Sequence, residues 1–233
     1  MSMLSRFATT GGGGDPYWAN VSLLLTGANL VDSSSSPKTI TNTGSVSVST
    51  YVKQYGSGSL QFNGENRLSI VTPPDSIIKW YSTSYTLEYW INPTSFGSGP
   101  SGYTNVLGNS DPAGITEYWS FGPNSSRAII FYYYNGGQAA LATSTQLSSG
   151  AWSFIVFVKN GTSLSIYING VLYASATVIG IPMSSNTVPF NIGQNTTSKF
   201  TGYIQDLRIT YGVARYSGST CPVPTAPFPT FGP

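Results

Sequence analysis

The stretch from Trp152 to Ala176, WSFIVFVKNGTSLSIYINGVLYASA, constrains the fold more than any other part of the chain. Two Asn-Gly pairs, Asn160-Gly161 and Asn169-Gly170, divide it into three short runs. Asn-Gly is a strong hairpin signal, because both central residues of a type I′ turn need φ > 0, which Asn tolerates and Gly adopts freely. The three runs are therefore expected to form an antiparallel meander. The first, Phe154 to Val158, is apolar at every position, whereas Leu164, Ile166 and Ile168 alternate with Ser163, Ser165 and Tyr167. A strand apolar on both faces must be covered on both, and an alternating one has a side available to water or to a more polar layer. The meander thus belongs to a thick all-β body.

Further strand candidates recur between Gly, Pro, Asn and Ser clusters: Val21 to Leu25, Ser45 to Ser49, Ser59 to Phe62, Leu68 to Val71, Tyr85 to Ile91, Trp119 to Phe121, Ala128 to Tyr134, Phe190 to Ile192 and Tyr203 to Tyr211. Short strands at regular spacing, with no amphipathic helix, predict a two-sheet antiparallel β-sandwich or jelly roll. Only Asp75 to Trp80, after Pro73-Pro74, offers one helical turn. At 233 residues such a sandwich forms one domain, expected over 15–220. Residues 1–14 read as an arm ending in the flexible hinge Gly11 to Gly14. No Gly-Lys-Ser/Thr follows those glycines, so they are not a phosphate loop. Residues 221–233 hold five prolines and cannot join a central strand, so they should run extended over the surface.

Charged residues make up 8% of the chain, and ten Lys and Arg against eight Asp and Glu leave a formal charge of +2. Scattered basic residues cannot supply the clustered contacts that phosphates require, so nucleic acid is not an expected partner. Without histidine and with a single cysteine, Cys221, no disulfide framework, zinc site or Cys/His pair can form within one chain. Cys221 reads as an incidental tail residue, with an intermolecular bond as the sharper reading. No apolar run is long enough to span a bilayer, and the N-terminus has no apolar core of signal-peptide length, so neither a membrane nor secretory export is expected.

Several segments, taken in order, resemble the laminin G-like, concanavalin A-like jelly-roll family. Gly58 to Gly64, GSLQFNG, is similar to its early strand and turn, and Tyr85 to Pro93, YTLEYWINP, to its "FTIEFWxxP" strand. The stretch from Trp152 is similar to its meander, and Phe200 to Thr210, FTGYIQDLRIT, to its closing strand. Two segments at the ends, Asp15 to Leu25 (DPYWANVSLLL) and Gly212 to Tyr216 (GVARY) with the proline tail, resemble laminin G-like domains of tailed-bacteriophage virion proteins. The resemblance implies a structural or receptor-facing protein on a phage particle.

Relatives of this fold include glucanases, and retaining glycosidases need two carboxylates about 5–5.5 Å apart. The acids here are Asp15, Asp32, Glu65, Asp75, Glu88, Asp111, Glu117 and Asp206, with no two of them two or four positions apart as on a catalytic strand. An enzyme is not expected. The resemblance also points to calcium, which takes oxygen ligands on loops. Here Asn66 beside Arg67 replaces the usual acidic turn, leaving Asp32, Asn66 and Asp206 as the residues that would serve, and no cofactor is expected. Alternatively, Asp206 accepts backbone hydrogen bonds and Asp32 makes an Asx turn.

Carbohydrate binding needs exposed aromatic faces beside amides or hydroxyls. The run Phe131 to Gly137, FYYYNGG, is the best local candidate, since alternation sends Tyr132 and Tyr134 to one face and Phe131 and Tyr133 to the other. The candidate residues are Tyr103, Tyr118, Trp119, Tyr132, Tyr134 and Asn135, although a Tyr-rich strand also simply caps a core. In the arm, Met1, Met3, Leu4 and Phe7 form an apolar peptide on a flexible tether, which orders on a partner or stays disordered. The function expected first is a non-enzymatic bacteriophage virion structural protein, made in the host cytoplasm and displayed on the virion surface as capsid decoration, fibre or other appendage, attached partly through its arm. Its partners would be other virion proteins, copies of itself or host-surface glycan. The alternative is a lectin-like module binding that glycan.

Overall fold

In the computed structural model, which describes residues 13–70, 84–97, 102–109, 119–134, 138–177, 189–194 and 198–233, the meander forms as three antiparallel strands. In chain order the strands are β1 (Val21–Leu25), β2 (Thr41–Thr43), β3 (Ser47–Ser49), β4 (Ser59–Asn63), β5 (Arg67–Ile70), β6 (Tyr85–Pro93), β7 (Leu107–Asn109), β8 (Trp119–Pro123), β9 (Ala128–Tyr134), β10 (Gln138–Gln146), β11 (Ser153–Asn160), β12 (Ser163–Ile168), β13 (Val171–Thr177), β14 (Phe190–Ile192) and β15 (Thr201–Tyr211). One sheet runs β13-β12-β11-β6-β15-β4-β3 with β1 also paired to β15, and the other runs β10-β9-β8-β7-β14-β5-β2. Every pairing is antiparallel, giving the expected jelly-roll sandwich. The one helical element described is a 3₁₀ turn, Trp18–Asn20, and no described helix is long and apolar enough to cross a membrane. The helical turn expected over 75–80 lies outside the described residues.

The two Asn-Gly turns differ. Asn169 and Gly170 have φ of 49° and 83° between Ile168 and Val171, as a type I′ turn requires. At the other turn Asn160 stays in the ladder opposite Ser163, so the loop is Gly161-Thr162. Of those two only Gly161 has positive φ, the pattern of a type II′ turn with glycine first. The expectation of type I′ there is corrected by one residue of register.

Strand β11 is buried along its length up to Asn160. Its Ile155 and Phe157 enter the core between the sheets, packed with Leu87, Phe121 and Ile166. Its Phe154, Val156 and Val158 belong to a second cluster on the outer face of the eight-stranded sheet, with Val21, Leu24, Trp90, Tyr167, Cys221 and Phe228. The uniformly apolar strand is thus covered on both sides, the outer side by β1 and the C-terminal tail. Tyr167, read from the sequence as lying on the polar face of β12, is buried beneath this cover and donates to the Gly218 carbonyl at 2.9 Å.

The ends meet. The Asp15 amide donates to the Phe231 carbonyl at 2.9 Å, and the tail is stitched to the meander by Leu172 N–H to Ser219 (3.0 Å) and Cys221 N–H to Gly170 (2.8 Å). The tail does cross the outer face, but Cys221 and Phe228 sink into it at 7% exposure each, so Cys221 is a packing residue and not an incidental one. Burial pushes its thiol up to about 12.

Candidate functional site

Two places bring chemistry-bearing side chains together: a buried ionic cluster under the chain ends, and the outward face of the seven-stranded sheet.

The ionic cluster grows from charges set in otherwise apolar strands. Glu88 in β6 and Arg208 in β15 face each other in the ladder. Arg208 donates to Glu88 Oε1 through Nε (2.8 Å), with Nη2 2.7 Å from the same oxygen, and to Asp15 Oδ2 through Nη1 (2.7 Å). Arg215 Nη2 donates to the same Asp15 oxygen at 2.7 Å, and the Tyr216 hydroxyl to Glu88 Oε2 at 2.8 Å. The Arg208 guanidinium also sits 3.7 Å from the Phe228 ring centre. Burial raises the Asp15 carboxyl, but the Arg215 hydrogen bond and both guanidinium charges outweigh it and hold the carboxyl below its ordinary range. The segments Asp15 to Leu25 and Gly212 to Tyr216 therefore meet here: Asp15 of the first, Arg215 and Tyr216 of the second. These residues were given no role from the sequence. The available signal was a charge inside an apolar strand of a charge-poor chain, which calls for a buried partner.

Asp206 occupies a bulge, where Asp206 and Leu207 together oppose Tyr89 and β15 changes neighbour from β4 to β1. Its φ is 49°, its exposure 1%, and neither carboxylate oxygen has a hydrogen-bond partner. Burial, helped by Glu88, raises its pKa to about 7, although the nearby Phe228 amide and Arg208 oppose the rise. Of the backbone hydrogen bonds expected at Asp206, the Phe228 amide supplies only a contact that lowers the carboxyl pKa without reaching full hydrogen-bond geometry. Asp32 behaves as the Asx reading expected, accepting from the amides of Leu24 (3.0 Å), Ser34 (2.9 Å) and Lys38 (2.8 Å) and from the Ser34 hydroxyl (3.0 Å). Asn66 Oδ1 accepts from the Asn63 amide at 3.0 Å. Asp32 and Asn66 are thus committed to their own loops, Asp206 lies in a buried bulge, and no group of three or more His, Cys, Asp or Glu gathers among the described residues.

On the seven-stranded sheet, alternation separates two sets of side chains. Trp119, Phe121, Phe131 and Tyr133 point inward, and Trp119 is 2% exposed, its ring 5.4 Å from Phe121 and 5.8 Å from Phe190. The expectation that Trp119 offers a face to sugar is corrected: it is a core residue, placed there by its strand register opposite Tyr133. The outward set follows one row of the ladder, Tyr132, Ser120, Gly108, Asn191, Ser69 and Thr41. Half-buried Tyr103 joins it from the segment before β7, its ring 6.0 Å from that of Tyr132. Ser69 donates to Asn191 Oδ1 at 2.7 Å further along the row. Gly122 permits this approach, since a Cβ there would lie 1.8 Å from the Thr104 carbonyl oxygen. So Tyr103 and Tyr132 are brought together. Tyr134 ends β9 opposite Gln138. Tyr118, Asn135 and the arm residues Met1, Met3, Leu4 and Phe7 lie outside the described residues.

Residues 66–215 match the family profile Laminin_G_3 of the concanavalin A-like lectin/glucanases superfamily. No curated protein matches. Among solved structures the chain is similar to domain 4 of AbnA, a GH43 extracellular arabinanase from Geobacillus stearothermophilus, in complex with arabinotriose, at 20% identity and TM-score 0.60, covering 83% of this chain and 93% of that one. It is also similar to the binding domain of Paraclostridial Mosquitocidal Protein 1 (17% identity, TM-score 0.65, 83% of this chain and 49% of that one). A third likeness is to a botulinum neurotoxin type C structure concerned with ganglioside interaction (17%, 0.62, 82% and 48%). The chain spans about half the length of those two toxin chains.

Proposed function

Because the chain belongs to the concanavalin A-like lectin/glucanase superfamily through its laminin G-like domain, we propose that it is a carbohydrate-binding module without catalytic activity, displayed on a tailed-bacteriophage particle. The observation that carries the binding reading is the pairing of the half-buried Tyr103 and Tyr132 rings on the outward side of the seven-stranded sheet, in a row that continues to the half-buried Asn191 and the exposed Thr41, while Ser120 and Ser69 between them are buried. Aromatic faces next to neutral donors and acceptors are what sugar rings select. The arabinanase domain similar over 93% of its length was solved with arabinotriose, which supports the same reading. Against catalysis, the described carboxylates are otherwise committed: Asp15 and Glu88 to arginines, Asp32 to amides, Glu65 to Lys199, and Asp206 to a buried bulge beside Phe228.

Display on a virion, as capsid decoration, fibre or other appendage, is supported by the resemblance of the two end segments to phage laminin G-like domains. The arm of residues 1–14 would hold the protein to other virion proteins. Replacing Tyr132 with Ala should weaken glycan-array binding at least tenfold, and unchanged binding would remove this face from the account. Deleting residues 1–14 should abolish incorporation into purified particles while binding persists; undiminished incorporation would sink the tether.

A further inference from the structure

A cleft of about 260 Å³ opens where β10 and β13, the terminal strands of their two sheets, approach each other. None of its lining residues belongs to the Tyr103 and Tyr132 face. Leu147 and Ile168, 2% and 4% exposed, form its apolar floor. Half-buried Trp152 and the exposed Val171 and Tyr173 form its sides. Six large apolar side chains are exposed among the described residues, and two of them, Val171 and Tyr173, border this one cleft.

The polar lining is oriented. Gln146 Oε1 already accepts from Arg127 Nη2 at 3.1 Å, and Asn169 Oδ1 accepts from the Phe154 amide at 2.8 Å. Each carboxamide is thereby turned so that its NH₂ is the part left to donate. Asn169 is held further by its type I′ turn, so its position needs no reorganisation on binding. Ser148 adds a hydroxyl, and no residue lining the cleft is charged. An aromatic wall with amide and hydroxyl donors suits a polyhydroxylated ring, and the one charge beside it, the Arg127 guanidinium, is hydrogen-bonded to Gln146 Oε1. The volume falls just below the ~300 Å³ at which small-ligand pockets begin, which fits one ring and not a chain.

We propose that this cleft is a subsite for a single neutral sugar residue, separate from the outward face of the seven-stranded sheet. The inference rests on the carbohydrate-binding reading above. The test is an NMR titration of the intact ¹⁵N-labelled chain with arabinotriose, cellotriose and lactose. Expected are saturable shifts of the Trp152 indole N–H and of the Gln146 and Asn169 side-chain amides with at least one sugar. Affinity should fall at least tenfold in both Tyr173→Ala and Gln146→Ala, two surface changes that leave the folded amide spectrum intact. Saturable shifts confined to residues around Ser120 and Tyr132 would overturn the cleft while sparing the carbohydrate reading. No saturable shift with any of the three sugars would also overturn it, and the broader reading falls with it only if a glycan array of the same protein is blank.

Discussion

Arg208 Nη1 lies 2.7 Å from Asp15 Oδ2, a charge-assisted hydrogen bond between residues 193 positions apart that fastens the first described turn to the closing strand. Both side chains are buried, at 6% and 0% exposure. Removing one partner of such a pair leaves uncompensated buried charge, here two guanidiniums that share one carboxylate. Asp15→Ala should therefore cost ~3 kcal/mol of unfolding free energy in urea denaturation. Glu65→Gln, which removes the exposed ion pair with Lys199, should cost under ~0.5 kcal/mol. Equal effects would contradict the ranking. Since the Asp15 carboxyl is held below its ordinary value, its contribution is present above about pH 4 and is lost as pH falls through its folded value.

Asp206 has the opposite sign. Its folded pKa of about 7 exceeds the unfolded value, so the folded state holds a proton that the unfolded chain has released. Stability is full below about pH 4, declines as pH rises to about 7, and loses up to ~4 kcal/mol in all. Asn is neutral and tolerates the φ of 49°. Asp206→Asn should thus leave the melting temperature nearly unchanged at pH 4 and raise it at pH 8; a flat difference across this range would refute the unpaired-carboxyl account.

The tail holds the second cluster closed. Phe228 packs on Phe154 at 6.4 Å between ring centres and under Arg208, so Phe228→Ala should cost ~3 kcal/mol and increase binding of a hydrophobic dye. In the native protein Cys221 should react with thiol reagents only as fast as the tail opens, given its burial and raised pKa. Immediate stoichiometric labelling would contradict that closure.

Gly122→Ala should displace the 102–106 segment that carries Tyr103, because the new Cβ would meet the Thr104 carbonyl oxygen. A loss of ~2 kcal/mol together with weakened glycan binding is expected. A variant as stable as the parent would show that the segment has room to move.

Where a strand is strongly apolar or alternating and bounded by turn residues, as in the meander and in β6, β9 and β15, the sequence alone shows it. For three strands it does not. Gln138–Gln146 alternates in burial over residues 140–146, but its inward positions are Leu141, Thr143 and Thr145 and its outward ones include Ala140 and Ala142, so the sequence shows no apolar/polar period. Thr41–Thr43 and Leu107–Asn109 are three residues each, below the length at which a period can be read. On this sheet, alternation put Tyr132 on the face opposite Phe131, as the strand has it, whereas Trp119 needed the register with Tyr133, which no local pattern contains. The Asp15, Glu88, Arg208 and Arg215 cluster joins three distant segments, so only the anomaly of charges in apolar strands hinted at it.

The central claim is that this protein binds sugars and does not cleave them. The most direct measurement presents the intact chain to a glycan array and then assays each bound oligosaccharide for newly released reducing ends. The account predicts saturable binding to at least one neutral glycan with no release above background; a blank array, or steady release that tracks protein concentration, would contradict it.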